Sequence, residues 1–287
     1  MHSNAPIIPA NIRMSDKEFK RFSEFIHKRF GINLPPVKKT MLTSRLLKRL
    51  RSLKIQSFSD YHDYLMSPKG QKNEVIHMID VVSTNKTDFF REPVHFDFLK
   101  DVALPEIASE KKKWSLTKVN VWSAGCSSGE EAYTLAVVIA DFLESYPRIT
   151  FSIFASDISQ QMLIAADRAI YSQEAVKTIP LRYVHKYFMR GARSQTGFYR
   201  IAPKLRNCVR VKYVNLMESF SPIPTKMDFI FCRNVMIYFN RDTRESLVNN
   251  FYRQLKDGGY LFIGNSETLN GLDTKFRQAG PTIYRKA

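Results

Sequence analysis

Residues 121–133 read VWSAGCSSGEEAY. The opening letters finish an alternating, β-rich stretch, 118–123 (KVNVWS), and the closing ones begin a run, 130–143, with apolar residues at helical spacing. A strand therefore turns through AGCSSG into a helix. Gly125 and Gly129 stand four apart, so the dinucleotide pattern G-x-G-x-x-G is not met. Glycines at such a turn let a ligand approach the backbone closely. An ordinary strand-to-helix turn would read the same way, and this loop alone does not separate the two.

Outward from the loop the same rhythm repeats. Strands are expected at 150–155 (TFSIFA), 209–214, 227–232 (MDFIFC) and 260–264 (YLFIG), with helices at 159–169 and 241–255 and a Gly258-Gly259 turn. Strands alternating with helices predict an α/β domain, a parallel sheet covered on both faces. The stretch 187–211 breaks the rhythm with YFMRG, a Gly197 turn and FYRI, and reads as an inserted antiparallel hairpin.

Three features flank the expected crevice. Asp157 ends the second strand, where α/β sheets hold ribose hydroxyls; a helix N-cap is the competing reading, since Ser156, Asp157 and Ser159 all precede a helix. Glu130 and Glu131 open the helix after the glycine loop, where the helix dipole favours carboxylates. Beside a ligand they would repel a pyrophosphate and attract an ammonium or sulfonium, which points to S-adenosylmethionine rather than NAD or ATP. Arg233 and Asn234 follow the apolar fourth strand in FCRNVMIYF. The Asn-Pro-Pro-aromatic motif of many amine methylases is absent. No nucleophile–base pair is arguable: Cys126 has no evident base, and the six histidines are scattered.

The first third is different. Ser15 with Glu18 three residues on forms a capping-box pattern for a helix over 15–30, with Phe19, Phe22, Phe25 and Ile26 on one face and Gly31 to end it. A basic amphipathic helix is expected over 38–54, with Met41, Leu42, Leu46, Leu50 and Leu53 on one side. Helices also fit 59–66 and 72–82. The polar stretch 83–91 reads as a linker.

The chain has 287 residues and a formal charge of +17, and residues 11–54 hold 13 Lys+Arg against 3 Asp+Glu. Such an excess suggests an acidic partner. Hydrophobic residues make up 44%, which excludes global disorder. Three scattered cysteines (126, 208 and 232) give neither a disulfide framework nor a zinc knuckle, and no metal is expected. A reducing compartment follows, in which the NKT sequon at 85–87 carries no meaning. No apolar run approaches a membrane span, and MHSNAPIIPANIR lacks the pattern of a signal peptide. A soluble intracellular protein is the expectation. From the residues alone, an RNA methyltransferase and a cofactor-sensing adaptor both stay open.

Seven segments taken together resemble the CheR-type chemotaxis receptor methyltransferases, which are protein-glutamate O-methyltransferases. They are TNKTDFFRE (84–92), VWSAGCSSGEEAY (121–133), FASDIS (154–159), YFMRG (187–191), VNL (214–216), FCRNVMIYF (231–239) and GGYLFIGNSE (258–267). The resemblance implies a helical domain over 11–82, a linker over 83–92 and a Rossmann-like methyltransferase domain over 93–287, with a β-subdomain insert at about 187–208. It implies S-adenosyl-L-methionine as cofactor and S-adenosyl-L-homocysteine as product. Asn85, Thr87, Arg91, Glu131, Asp157, Asn215, Leu216, Arg233 and Asn234 would bind the cofactor, with Glu130 a weaker substitute for Glu131. Arg91 and Tyr238 would lie nearest the transferred methyl. Arg45, Lys48 and Arg49 would meet the acidic cytoplasmic region of methyl-accepting chemoreceptors, and Arg190 and Gly191 a receptor C-terminal peptide. Neither nucleic acid nor membrane insertion is implied, and the location would be cytoplasmic, at membrane receptor arrays.

Overall fold

A computed structural model describes residues 12–111, 117–218, 220, 223 and 225–287; most of the amino-terminal stretch tested for a signal peptide lies outside them. The chain divides into two compact units. One comprises the residues up to Thr84 with Tyr238–Asn240, the other Asn85–Ile237 with Arg241–Ala287.

The helical unit holds α1 (Asp16–Phe30), a 3-10 turn (Pro36–Lys38), α2 (Lys39–Leu53), α3 (Phe58–Met66), α4 (Pro68–Asn73) and α5 (Val75–Val82). The capping box forms as read: Ser15 accepts from the Glu18 amide, and the Glu18 carboxylate accepts from the Ser15 amide at 2.7 Å. Gly31 ends α1 at φ 73°, a left-handed conformation that glycine adopts without strain. Phe22, Ile26, Leu42, Leu46, Leu50, Phe58, Tyr61 and Leu65 are buried, and Phe22 stacks on Tyr61 at 5.9 Å. The helix expected over 72–82 is instead two. Glu74, with φ −103°, separates α4 from α5, and its side chain turns inward to Arg49 and Tyr61.

The second unit opens with α6 (Val94–Phe98), a wide π-type turn (Leu99–Ala103) and α7 (Leu104–Lys111). There follow β1 (Thr117–Ala124), α8 (Glu130–Leu143), β2 (Ile149–Asp157), α9 (Gln160–Arg168), β3 (Ile170–Ser172), α10 (Gln173–Val176) and α11 (Leu181–Tyr187). Then come β4 (Phe188–Arg190), β5 (Phe198–Ile201), α12 (Pro203–Arg206), β6 (Val209–Tyr213), β7 (Met227–Cys232), α13 (Arg241–Gln254), β8 (Leu255–Ile263), β9 (Arg277–Gly280) and β10 (Ile283–Arg285).

The main sheet runs β6-β2-β1-β7-β8-β10-β9. Its first five strands are parallel and the last two antiparallel. Every residue of β7 is buried, as expected for a central parallel strand. Strand order reverses between β1 and β7, and open α/β sheets bind ligands outside the carboxyl ends of strands at such a point.

Two expectations are corrected here. Gly258 and Gly259 form no turn between helix and strand; they lie within β8. The pairing of β7 with β8 slips between Met227 and Phe229, Gly258 sits at φ 75°, and both glycines pair with Lys286. Lys286 directly follows the carboxyl-terminal strand β10, which carried no sequence signal strong enough to read. The inserted sheet has three strands, β3-β5-β4, and draws β3 from ahead of the stretch read as the insert.

Candidate functional site

The glycine loop after β1 is pinned by backbone bonds. The Gly125 and Cys126 amides both donate to the Ser156 carbonyl at 2.8 Å. A Cβ on Gly125 would stand 2.4 Å from the Val235 side chain, and one on Gly129 2.9 Å from the Tyr171 hydroxyl. Both glycines have φ near +90°. They are therefore required by close packing as well as by conformation.

Asp157 ends β2 and is 8% exposed. Its Oδ2 accepts from the Ser127 amide at 2.8 Å and its Oδ1 from the Ser159 amide at 2.9 Å. The N-cap of α9 is Ser159, whose hydroxyl accepts from Met162. Asp157 thus ties the glycine loop to the end of β2. Ser127, itself at φ 48°, donates its hydroxyl to the Asn85 carbonyl at 2.7 Å, joining the segment after residue 84 to the same loop.

Arg233 follows β7, and its side chain is 2% exposed. Its guanidinium reaches Glu92 Oε2 at 3.1 Å and Glu131 Oε2 at 3.3 Å, donates to the Arg91 carbonyl, and lies over the Phe96 ring. The Glu131 Oε1 accepts from Ser123 at 2.7 Å. Burial raises the Glu131 carboxyl above the ordinary range, opposed by Arg233. Burial works the same way on Glu92, but Arg233 and the Asn265 amide bring that carboxyl below the usual range. Glu130 instead accepts from the Ser128 hydroxyl at 2.7 Å, and burial raises it.

The segment carrying Arg91 is held in an unusual shape. Phe90 and Glu92 both have positive φ, 53° and 55°. Non-glycine residues keep such angles only where their surroundings impose them. Here Phe90 donates its amide to Thr134 and stacks flat on Tyr183, while Glu92 holds Arg233. Arg91 Nη1 donates to the Lys86 carbonyl at 3.1 Å. Thr87 is half-buried nearby in sequence, and Asn234 sits at φ 59°. Beyond β6, Asn215 is buried, with its Oδ1 accepting from the Met217 amide at 3.1 Å; Leu216 is half-buried.

Tyr238 falls in the helical unit, where its carbonyl accepts from the Asn33 amide at 2.8 Å. Arg45 and Arg49 turn into that same unit. Arg45 donates to the carbonyls of Val82 and Ser83 at the end of α5, and Arg49 forms two 2.8 Å bonds to Glu74. Lys48 faces solvent, as do Lys38, Arg51 and Lys54. Arg190 is exposed on β4, and the Gly191 amide donates to Phe198. Cys126 is buried, which pushes its thiol well up and keeps it protonated.

Glu92, Ser127, Tyr171 and Glu267 received no role from the sequence. All but Tyr171 lay inside segments singled out there, and an acidic residue just past an apolar strand was the available signal for Glu267.

At the switch point stand the glycine loop after β1, Asp157 at the end of β2, Asn215 beyond β6 and the paired Arg233 after β7. That defines an open α/β nucleotide-binding domain. Residues 85–285 match the family model for the CheR methyltransferase SAM binding domain, and residues 17–83 match the CheR methyltransferase all-alpha domain. A chemotaxis protein methyltransferase of Borreliella burgdorferi is 36% identical over 288 residues, covering 100% of both chains. The chemotaxis protein methyltransferase of Escherichia coli is 37% identical over 95% of this chain and 92% of its own. The chain belongs to the CheR methyltransferase family.

Proposed function

We propose that this protein transfers a methyl group from S-adenosylmethionine to glutamate side chains of methyl-accepting chemoreceptors, giving methyl esters and S-adenosylhomocysteine. The observation that carries the proposal is the charge arrangement at the switch point: one buried guanidinium, Arg233, between two carboxyl groups, Glu92 and Glu131. With both carboxyls ionised, this trio of side chains itself carries net negative charge, suited to an ammonium or sulfonium. The donor set fits S-adenosylmethionine. Asp157, at the end of β2, would hold the ribose hydroxyls, Asn215 and Leu216 would flank the adenine, and Glu131 would face the methionine end. Asn85, Thr87, Arg233 and Asn234 complete the pocket.

When bound, the cofactor supplies an activated methyl on a sulfonium. The acceptor glutamate is ionised at neutral pH, with an ordinary pKa of about 4.3, and needs no general base. What this chain supplies is placement. Arg91 guides the acceptor carboxylate. Too tight a pair with Arg91 would favour the ground state and slow attack.

Lys48 and Arg51 on α2, with Lys38 and Lys54 just beyond its two ends, meet the acidic receptor, while Arg45 and Arg49 hold that helix in place. The edge strand β4, with Arg190 and Gly191, takes a receptor C-terminal peptide as an added strand. Among the described residues no helix is long and apolar enough to cross a membrane. The protein is proposed to work in the cytoplasm, recruited to receptor arrays.

The test is the bond formed. Incubation with methyl-labelled cofactor and receptor-containing membranes, followed by alkali, should release labelled methanol; base-stable label, or none, would sink the assignment. Substituting Lys48 and Arg51 by Gln should reduce receptor methylation and leave S-adenosylhomocysteine binding unchanged. Because charge attraction is screened by salt, the defect should be largest at low ionic strength.

A further inference from the structure

Glu267 lies four residues beyond the end of β8 and is 7% exposed. Its carboxylate is taken up by backbone amides from two loops. Oε2 accepts from Gly264 at 2.6 Å and from Asn234 at 3.0 Å, and Oε1 accepts from Ile237 at 3.1 Å. A carboxylate facing several N–H groups makes short, charge-assisted bonds and fixes the backbone that supplies them.

The two loops touch closely. A Cβ on Gly264 would stand 2.6 Å from Asn234 Nδ2 and 2.8 Å from its amide nitrogen. Asn234 is in the left-handed region, which asparagine enters more readily than most residues. The connection runs further: Asn234 Nδ2 and the Asn265 amide both reach Glu92 Oε1, at 3.4 and 3.3 Å, and Glu92 adjoins Arg91.

We propose that Glu267 is a positioning residue for methyl transfer, a buried strap that holds the 233–237 turn in the shape presenting Arg233 and Asn234 to the cofactor. The proposal rests on the reading of this crevice as the S-adenosylmethionine site. Glu267 touches neither cofactor nor acceptor; it acts through the turn.

The test is Glu267→Gln in the full chain, which keeps the volume but turns an amide donor toward the backbone donors. Three readouts apply: calorimetric binding of S-adenosylhomocysteine, hydrogen exchange of the 234–237 amides, and the separate KM values. The expected result is faster exchange at 234–237 and product binding weakened on the order of tenfold, as when a buried hydrogen-bonding group loses its partner. The KM for S-adenosylmethionine should rise while that for receptor stays. Gly264→Ala, which keeps the carboxylate but presses a methyl onto Asn234, should act in the same direction, and decides the matter if the Gln variant does not fold. Wild-type product affinity in the Gln variant, or in Gly264→Ala where that alone folds, would overturn the proposal. If the unsubstituted chain itself fails to bind S-adenosylhomocysteine, the reading of the site falls, and the proposal with it.

Discussion

Arg233 was legible as a polar residue past an apolar strand, but its partners were not. Glu92 and Glu131 stand far from it in sequence, and only the fold brings them within 3.3 Å. Asp157 was legible from its place at the end of a strand; of the three residues read as candidate caps, Ser159 caps α9, while Asp157 holds two backbone amides. Asp157→Asn should weaken S-adenosylhomocysteine binding by roughly 1.5–3 kcal/mol, the scale of a lost charged hydrogen bond. Calorimetry giving the wild-type affinity would remove the ribose assignment. The left-handed angles at Phe90 and Glu92 could not have been read beforehand, because neither residue asks for positive φ, whereas Asn234 is of a type that enters this region more readily.

At the scale of elements, α1 follows its periodicity and caps closely, and α2 and α8 follow their apolar spacing without a side-chain N-cap. The small strands β3, β9 and β10 did not show, since three or four residues carry too little pattern. For α2 the spacing identified the apolar face but not which cations turn inward. Arg49 turns inward because Glu74, at the break between α4 and α5, offers a buried carboxylate to it and to Tyr61 at 2.9 Å. Burial is the first cause lifting the Tyr61 hydroxyl far above its ordinary range, with Glu74 adding to it. Glu74→Ala would strand a guanidinium, at a cost of about 3 kcal/mol or more. Denaturant unfolding should show that loss; a change near zero would mean the ion pair is not structural.

Across the whole molecule the charge of +17 is uneven, and the helical unit carries much of it. Acid stability has a different source. Burial, and then Arg233, lower the His95 pKa to about 4 from 6.5. The folded chain keeps this imidazole neutral while the unfolded chain protonates it. Its contribution is therefore complete above pH 6.5 and is lost as pH falls toward 4, a change of roughly 3 kcal/mol. Glu130, Glu131 and Glu267 are shifted upward and slope the opposite way, so the comparison must be with a variant. His95→Gln, which keeps a polar partner for Thr282, should flatten the stability difference between pH 4 and 6.5, as read by thermal melts. An unchanged acid limb would mean His95 is not its source.

The rim strand β6 pairs with β2 on one side, and its other flank is the border of the sheet. An unfinished border of backbone donors and acceptors is a template on which a second chain can polymerise. Arg210 and Lys212 are exposed along this one. A like copy approaching it would bring cation against cation, so self-adhesion is discouraged where the fold would otherwise invite it.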